Sequence, residues 1–178
     1  ICRGSTASLS ISNYSGNTFQ WQDSSAATSG SWQDIGSSNN DTLITGTLTD
    51  TTYFRVYVKD NGISCDADTS AVIRVAVFAP DAGTVSNDTT ICRGSTASLS
   101  ISNYTGNTFQ WQDSSAATSG SWQDIGSSNN PTLTTATLTD TTYYRVYVKD
   151  NGLSCDADTS AVIRVAVFAP EAGTVSND

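Results

Sequence analysis

The sequence predicts an all-β protein built as two tandem antiparallel β-sandwich domains. Three observations carry this. The stretch from Ile1 to Pro80 returns as Ile91 to Pro170, at a spacing of 90 residues. Apolar residues alternate with polar ones through most runs, and no stretch has a helical period. Ser, Thr, Asn and Gly are abundant while Glu is nearly absent and Lys is rare, a mix that favours strands and turns.

A period of this length is too long for a solenoid unit and long enough for a domain with its own core. The expected boundaries are 1–80 for the first domain, which lacks a leading strand, 81–170 for the second, and 171–178 for the start of a further repeat. The copies differ at Ser15/Thr105, Asp41/Pro131, Ile44/Thr134, Gly46/Ala136, Phe54/Tyr144, Ile63/Leu153 and Asp81/Glu171.

Each element can be read from the first copy. Ala7, Leu9 and Ile11 alternate with Ser and mark a strand, ended by the turn Ser15-Gly16-Asn17. Phe19 and Trp21 alternate with Gln20 and Gln22 in a second. A polar loop from Asp23 to Gly30 leads to a short strand around Trp32 and Ile35, then a turn from Ser37 to Asn40. Leu43 and Leu48 mark another strand, stopped at Asp50. Tyr53 to Lys59 is the strongest, and Asp60-Asn61-Gly62 after it reads as a hairpin turn, since Asn and Gly tolerate positive φ. Ala71 to Phe78 is the last strand, with Ile73, Val75 and Val77 inward and Arg74 outward. With Ala82 to Ser86 as a leading strand, each unit has about seven strands at sandwich spacing.

The linker Ala79-Pro80-Asp81-Ala82-Gly83 is short, so the domains are expected end to end with little free tumbling. The chain starts at Ile1, inside a repeat, and reads as an excised piece. Its first domain is expected to be the less stable, or to have its missing edge filled by a neighbour's tail. Near-identical neighbours also invite domain swapping.

The net charge of −9 and pI near 4.1, with eight basic residues, exclude a nucleic-acid footprint. No apolar run has the length of a membrane span. The cysteines come as one pair per repeat, Cys2 with Cys65 and Cys92 with Cys155. Four cysteines allow three connectivities, and the repeat favours one disulfide per domain in an oxidising compartment. Such a bridge contributes roughly 4 kcal/mol in the chain-entropy model. Buried free thiols are the alternative; zinc is weaker, because neither His nor C-x-x-C accompanies the pairs.

The segments Thr90-Ile91-Cys92-Arg93-Gly94, Gln110-Trp111-Gln112, Ser121-Trp122-Gln123-Asp124-Ile125 and Thr142-Tyr143-Tyr144-Arg145-Val146, then Cys155, resemble the Ig-like repeats of giant secreted surface proteins of Bacteroidota. The leader Ala82-Gly83-Thr84-Val85-Ser86 fits too. The resemblance spans nearly the whole chain. It implies an Ig-like sandwich, export by the type IX route, and a place in long cell-surface adhesins, some tied to gliding motility. The chain departs from antibody domains: Val56 stands where a second mid-strand cysteine is expected, and the tyrosine-corner position is Phe54 in one copy and Tyr144 in the other.

Several residues are candidates for chemistry. Asp66 and Asp68, repeated as Asp156 and Asp158, could begin a calcium site, but calcium needs six to eight oxygens and few can be named. A solvated turn capped by Asp is the plainer reading. Period two places Tyr53, Arg55, Tyr57 and Lys59 on one face of the strongest strand, with Arg74 outward beside them. The second copy repeats this with Tyr143, Arg145, Tyr147 and Arg164. Such a face could hold a sugar or an acidic polymer; an ordinary sheet face with cross-strand packing is the other reading. Trp21 and Phe19 read as core, and Trp32 as either core or site. Lys59 abuts an exposed hairpin, which argues against an isopeptide bond. With no His as base, no acid–base constellation can be drawn. Asp-Thr pairs at Asp41, Asp50, Asp88 and Asp140 match a short O-glycan acceptor pattern, and Asn13 and Asn103 head N-glycan sequons.

The expected function is a non-enzymatic, extracellular stalk or spacer repeat of a bacterial surface adhesin, without a cofactor or catalytic residues. Its expected partners are neighbouring repeats. The alternative is that each repeat binds glycan or polymer weakly and acts by avidity.

Overall fold

The computed structural model describes residues 1–26, 30–36, 38–115, 120–126 and 128–175. The expected loop at 23–30, the turn at 37–40 and the tail at 171–178 are therefore described only in part. The chain divides into two units, Ile1–Ala79 and Pro80–Asp178. Every regular element among the described residues is a strand.

The first unit holds β1 (Ser8–Ser10), β2 (Thr18–Ser24), β3 (Gln33–Asp34), β4 (Thr42–Ile44), β5 (Thr52–Lys59), β6 (Asp68–Thr69) and β7 (Ile73–Val75). β1 and β4 form a two-stranded sheet. β3, β2, β5 and β6 follow one another in a larger sheet, in which β7 also pairs with β5. The second unit holds β8 (Thr84–Val85), β9 (Thr89–Cys92), β10 (Ser98–Ser102), β11 (Thr108–Ser114), β12 (Gln123–Asp124), β13 (Thr132–Thr134), β14 (Thr142–Lys149), β15 (Asp158–Thr159) and β16 (Ile163–Phe168). Its small sheet runs β13-β10-β8. Its large sheet runs β12-β11-β14-β16-β9, with β15 also on β14. The named pairs are antiparallel except β16 with β9, which is parallel. β9 had no alternation to announce it, since Thr89-Thr90-Ile91-Cys92 carries a single strong apolar residue.

The central ladder follows from period two. Trp21 faces Val56 and Phe19 faces Val58 across β2 and β5, and Trp111 faces Val146 in the second unit. Phe54, Val56 and Val58 are buried on one face of β5. They meet Leu9 and Leu43 from the small sheet, so two sheets close on one core, a sandwich. Trp21 and Trp111 are core residues, as expected, and each indole N–H donates to a backbone carbonyl, of Asn40 and Asn130, at 2.9 Å. Gly16 takes φ 146° in the turn after β1, and a Cβ there would come within 2.8 Å of the Val58 side chain and 2.9 Å of the Lys59 carbonyl oxygen. The sharp turn expected at this glycine is real.

Three expectations are corrected. The hairpin after β5 is present but is not closed by a tight Asn61-Gly62 turn: neither residue has positive φ, and β5 and β6 pair antiparallel through the longer loop 60–67. The Asp60 carboxylate shapes that turn instead, accepting the Gly62 N–H at 2.6 Å, while Asn17 donates to Asp60 at 3.2 Å. The last strand of the first unit is short, and Ile73 is 48 % exposed where Ile163 is fully buried. In the second unit residues 80–90 run ahead of Cys92. There Ala82 and Val85 pack on the core and β9 pairs with β16.

The third correction concerns the cysteines. Cys2 and Cys155 are disulfide-bonded, whereas Cys65 and Cys92 are exposed free thiols. The closures expected within each repeat, Cys2 with Cys65 and Cys92 with Cys155, are therefore absent. The ladder explains why. Cys2 pairs with Phe78, three residues beyond Val75, which faces Thr52 at the start of β5. Cys65 precedes Asp68, which faces Val58 near the other end. The two cysteines of a repeat are thus separated by the length of β5, eight residues and roughly 25 Å at the rise of a strand, whereas a disulfide needs Cα atoms within about 7 Å. The second unit repeats the arrangement, with Cys92 facing Phe168 at one end and Cys155 before Asp158 at the other.

Candidate functional site

The outward face of β5 carries Tyr53, Arg55 and Tyr57, all half-buried. Register places Gln22 opposite Arg55 and Gln20 opposite Tyr57. β3 lies beyond β2, and Asp34 faces Gln22. These positions build a connected row. Arg55 Nε donates to Gln22 Oε1 at 2.8 Å, and Arg55 Nη2 donates to Tyr57 Oη at 2.9 Å. Gln22 Nε2 donates to Asp34 Oδ1 at 2.6 Å. The guanidinium lies over the Trp32 ring at 4.2 Å and over the Tyr57 ring at 5.1 Å. Planar charge between two ring faces is the arrangement cation–π attraction favours.

The second unit repeats the row. Arg145 donates to Gln112 and to Tyr147, each at 2.8 Å, and lies over Trp122 at 4.2 Å and Tyr147 at 5.0 Å. Gln112 donates to Asp124 at 2.7 Å. Gln20 is also spent internally, its Nε2 donating to Ser38 Oγ and to the carbonyls of Trp21 and Ile35. Among the described residues no buried side-chain polar atom lacks a partner.

The structure therefore brings Arg55 and Tyr57 together with the outward amide of Gln22, as the sequence pattern expects, and adds Asp34 and Trp32, the latter read from sequence as either core or site. Tyr53 stands apart from this row, opposite Arg74 on β7, as Tyr143 stands opposite Arg164 on β16. Arg74 and Arg164 are exposed, as are Lys59 and Lys149. The signal for Trp32 was present but undirected: it precedes a two-residue strand, too short for alternation to assign a face.

Two of the acidic candidates, Asp68 and Asp158, accept backbone N–H groups. Asp68 Oδ1 accepts its neighbour Thr69's N–H at 2.8 Å. Asp158 Oδ2 accepts the Ala82 N–H at 2.9 Å, holding the leading segment of the second unit. Asp66, Asp68, Asp156 and Asp158 are exposed, and among the described residues no three metal-ligating side chains of the His, Cys, Asp and Glu types come together. No described helix is long and apolar enough to cross a membrane.

Two tyrosines are shifted. Burial pushes the Tyr144 hydroxyl up to about 12, with the Asp113 carboxylate across the β11–β14 ladder adding to it and Thr142 and Thr135 opposing. Tyr14 is also raised, by desolvation and then by the hydrogen bond it donates to Asp41 at 3.2 Å and that residue's charge.

A family described as Domain of unknown function (DUF8696) matches residues 1–79 and 81–169. The chain belongs to this family. No curated protein matches the chain. The two DUF8696 copies coincide with the two units of the structure to within a residue at the linker. They share the Trp-Arg-Tyr row. Pro131 in the second copy removes the carboxylate that Tyr14 uses in the first, yet its carbonyl still accepts the Ile101 N–H at 2.9 Å, as Asp41 does for Ile11.

Proposed function

We propose that the DUF8696 pair is a structural spacer, a repeated, non-enzymatic module of an extracellular stalk that holds a distal binding region of a bacterial surface adhesin away from the cell. One observation carries this reading: the polar face that could have served a ligand is consumed within each repeat, and in the same way in both. Arg55 and Arg145 each make two side-chain hydrogen bonds and lie against two rings. A side chain so engaged must break contacts to greet a sugar, which opposes weak binding. It instead stiffens the exposed side of a small sandwich. Near-identity of the copies supports the same reading, since selection for length or reach tolerates repetition of one solution. The disulfide supports an oxidising, extracellular setting.

The test is binding of the oxidised chain to a panel of glycans and anionic surface polymers, beside the variant Tyr57→Ala/Tyr147→Ala. The spacer reading expects no saturable binding by either. Saturable binding by the natural chain that the variant loses would overturn it in favour of a ligand module acting by avidity.

A further inference from the structure

β9 is the second strand of the second unit and β16 the last, and they lie side by side in its large sheet. They run parallel: Thr89 faces Val165, Thr90 faces Ala166, Ile91 faces Val167 and Cys92 faces Phe168. The pairing continues past both ends of the ladder. Before it, the Arg164 N–H donates to Asp88 Oδ1 at 2.8 Å. After it, the Arg93 N–H donates to the Phe168 carbonyl at 2.9 Å. Val165 is fully buried, and Ile91 and Val167 pack on the same core. β16 is fixed on its other side by β14, where Val165 faces Thr142, and the Val167 N–H donates to Thr141 Oγ1 at 3.3 Å.

Direction decides what this arrangement does under tension. In a parallel pair, the start of one strand and the end of the other lie at opposite ends of the ladder. A pull that enters at Thr89 and leaves at Phe168 therefore acts along the strands and slides one past the other. The bonds between them share the load and must break together. An antiparallel hairpin pulled apart at its open end instead loses one bond at a time. Forced unfolding is governed by the barrier that this sets and not by equilibrium stability. β8 sits on the other sheet and is held by two ladder pairs, Thr84 with Ser102 and Val85 with Ile101, so it yields before the parallel ladder does.

We propose that β9 and β16 form a tension clamp, through which the DUF8696 unit keeps its fold against a pull on its two ends. The use of such a clamp in a stretched surface chain rests on the spacer reading. The clamp itself does not, and its test involves no ligand, so the failure of either leaves the other standing.

Single-molecule pulling of the whole chain reads this out. Peptide tags at the two ends hold it, and reducing buffer leaves only the backbone to carry the pull. The natural chain is expected to give one unfolding event per unit. Phe168→Pro removes the N–H that the parallel ladder turns towards β9, at a residue whose ring is exposed. Asp88→Ala, also at an exposed residue, removes the bond to Arg164. Each is expected to lower the force of one event and leave the other where it was, Phe168→Pro by roughly a quarter or more, since one of a handful of bonds that rupture together is gone. Ser160→Ala weakens the core of the same unit away from the clamp. It is expected to lower the urea midpoint and keep the rupture force. Equal forces in the natural chain, Phe168→Pro and Asp88→Ala overturn the proposal. So does a force that falls in Ser160→Ala as far as in Phe168→Pro, because resistance then follows stability and not the clamp.

Discussion

The guanidinium of Arg145 lies 4.2 Å from the centre of the Trp122 ring and donates to Gln112 on the neighbouring strand, the relationship that Arg55 has with Trp32 and Gln22. The contact joins the edge segment carrying β12 to the central strand β14, with β11 between them in the sheet.

Arg145→Ala is expected to destabilise the second unit by about 1–2 kcal/mol, combining the ring contact with hydrogen bonds of a charged donor. Arg145→Lys keeps the charge but not the planar fork, and should recover less than half of the loss. Hydrogen exchange of the β11 and β14 amides reads this out unit by unit. Protection unchanged in Arg145→Ala would mean that the row is surface decoration.

The two repeats should respond differently to one substitution. Ile163 is fully buried among Ala82, Val165 and Val148, whereas Ile73 is half-exposed. Ile163→Ala should cost about 2–5 kcal/mol, and Ile73→Ala under about 1 kcal/mol. The natural chain should accordingly melt in two steps, its first unit before its second. A single transition unaffected by which isoleucine is changed would contradict this.

Ser160 and Ser70 hold backbone groups that the ladders leave over. Ser160 Oγ accepts the N–H of fully buried Val146 at 3.0 Å and donates to the Ala161 carbonyl at 2.8 Å. Ser160→Ala leaves that N–H unpaired in the core, and about 1–3 kcal/mol is expected to be lost. Ser160→Thr keeps the hydroxyl and should retain most of it. Equal midpoints for the alanine variant and the natural chain in urea would argue that another acceptor replaces the serine.

Alternation gave the strands because side chains with a period of two have one buried face, and Trp21, Phe54, Val56 and Val58 announce theirs plainly. It failed where elements are short or where pairing is settled by distant residues. β9 and β3 are too brief for a period, so the parallel partner of β16 and the placement of Trp32 were illegible. The hairpin at Asn61-Gly62 is wider than the dipeptide implies because Asp60 offers the backbone a side-chain acceptor that a dipeptide rule does not weigh. The cysteine pairing was misread because matching one pair to one repeat ignores where a strand's two ends lie. That separation emerges only from the register of Thr52 with Val75 and Val58 with Asp68.

Tyr144 gives the second unit a pH dependence that the first, with Phe54, lacks. Tyr144 is 2 % exposed and faces Asp113 across the ladder, and its hydroxyl is pushed from its ordinary 10 to about 12. Below pH 10 the folded and unfolded chains both keep this proton, and the group's contribution to stability is whole. Between pH 10 and 12 the unfolded chain releases it while the folded unit retains it. The unfolded state then binds fewer protons, and stability falls by at most about 1.4 kcal/mol per pH unit. Over that window the total loss is expected to be on the order of 2 kcal/mol. Tyr144→Phe abolishes this portion and leaves the titration of the other tyrosines unchanged, so the difference between the two chains isolates it. Urea midpoints of the second unit taken from pH 9 to 12 should converge towards low pH and diverge above 10, with the natural chain falling faster. Parallel profiles across that range would show that the buried hydroxyl ionises as readily as an exposed one.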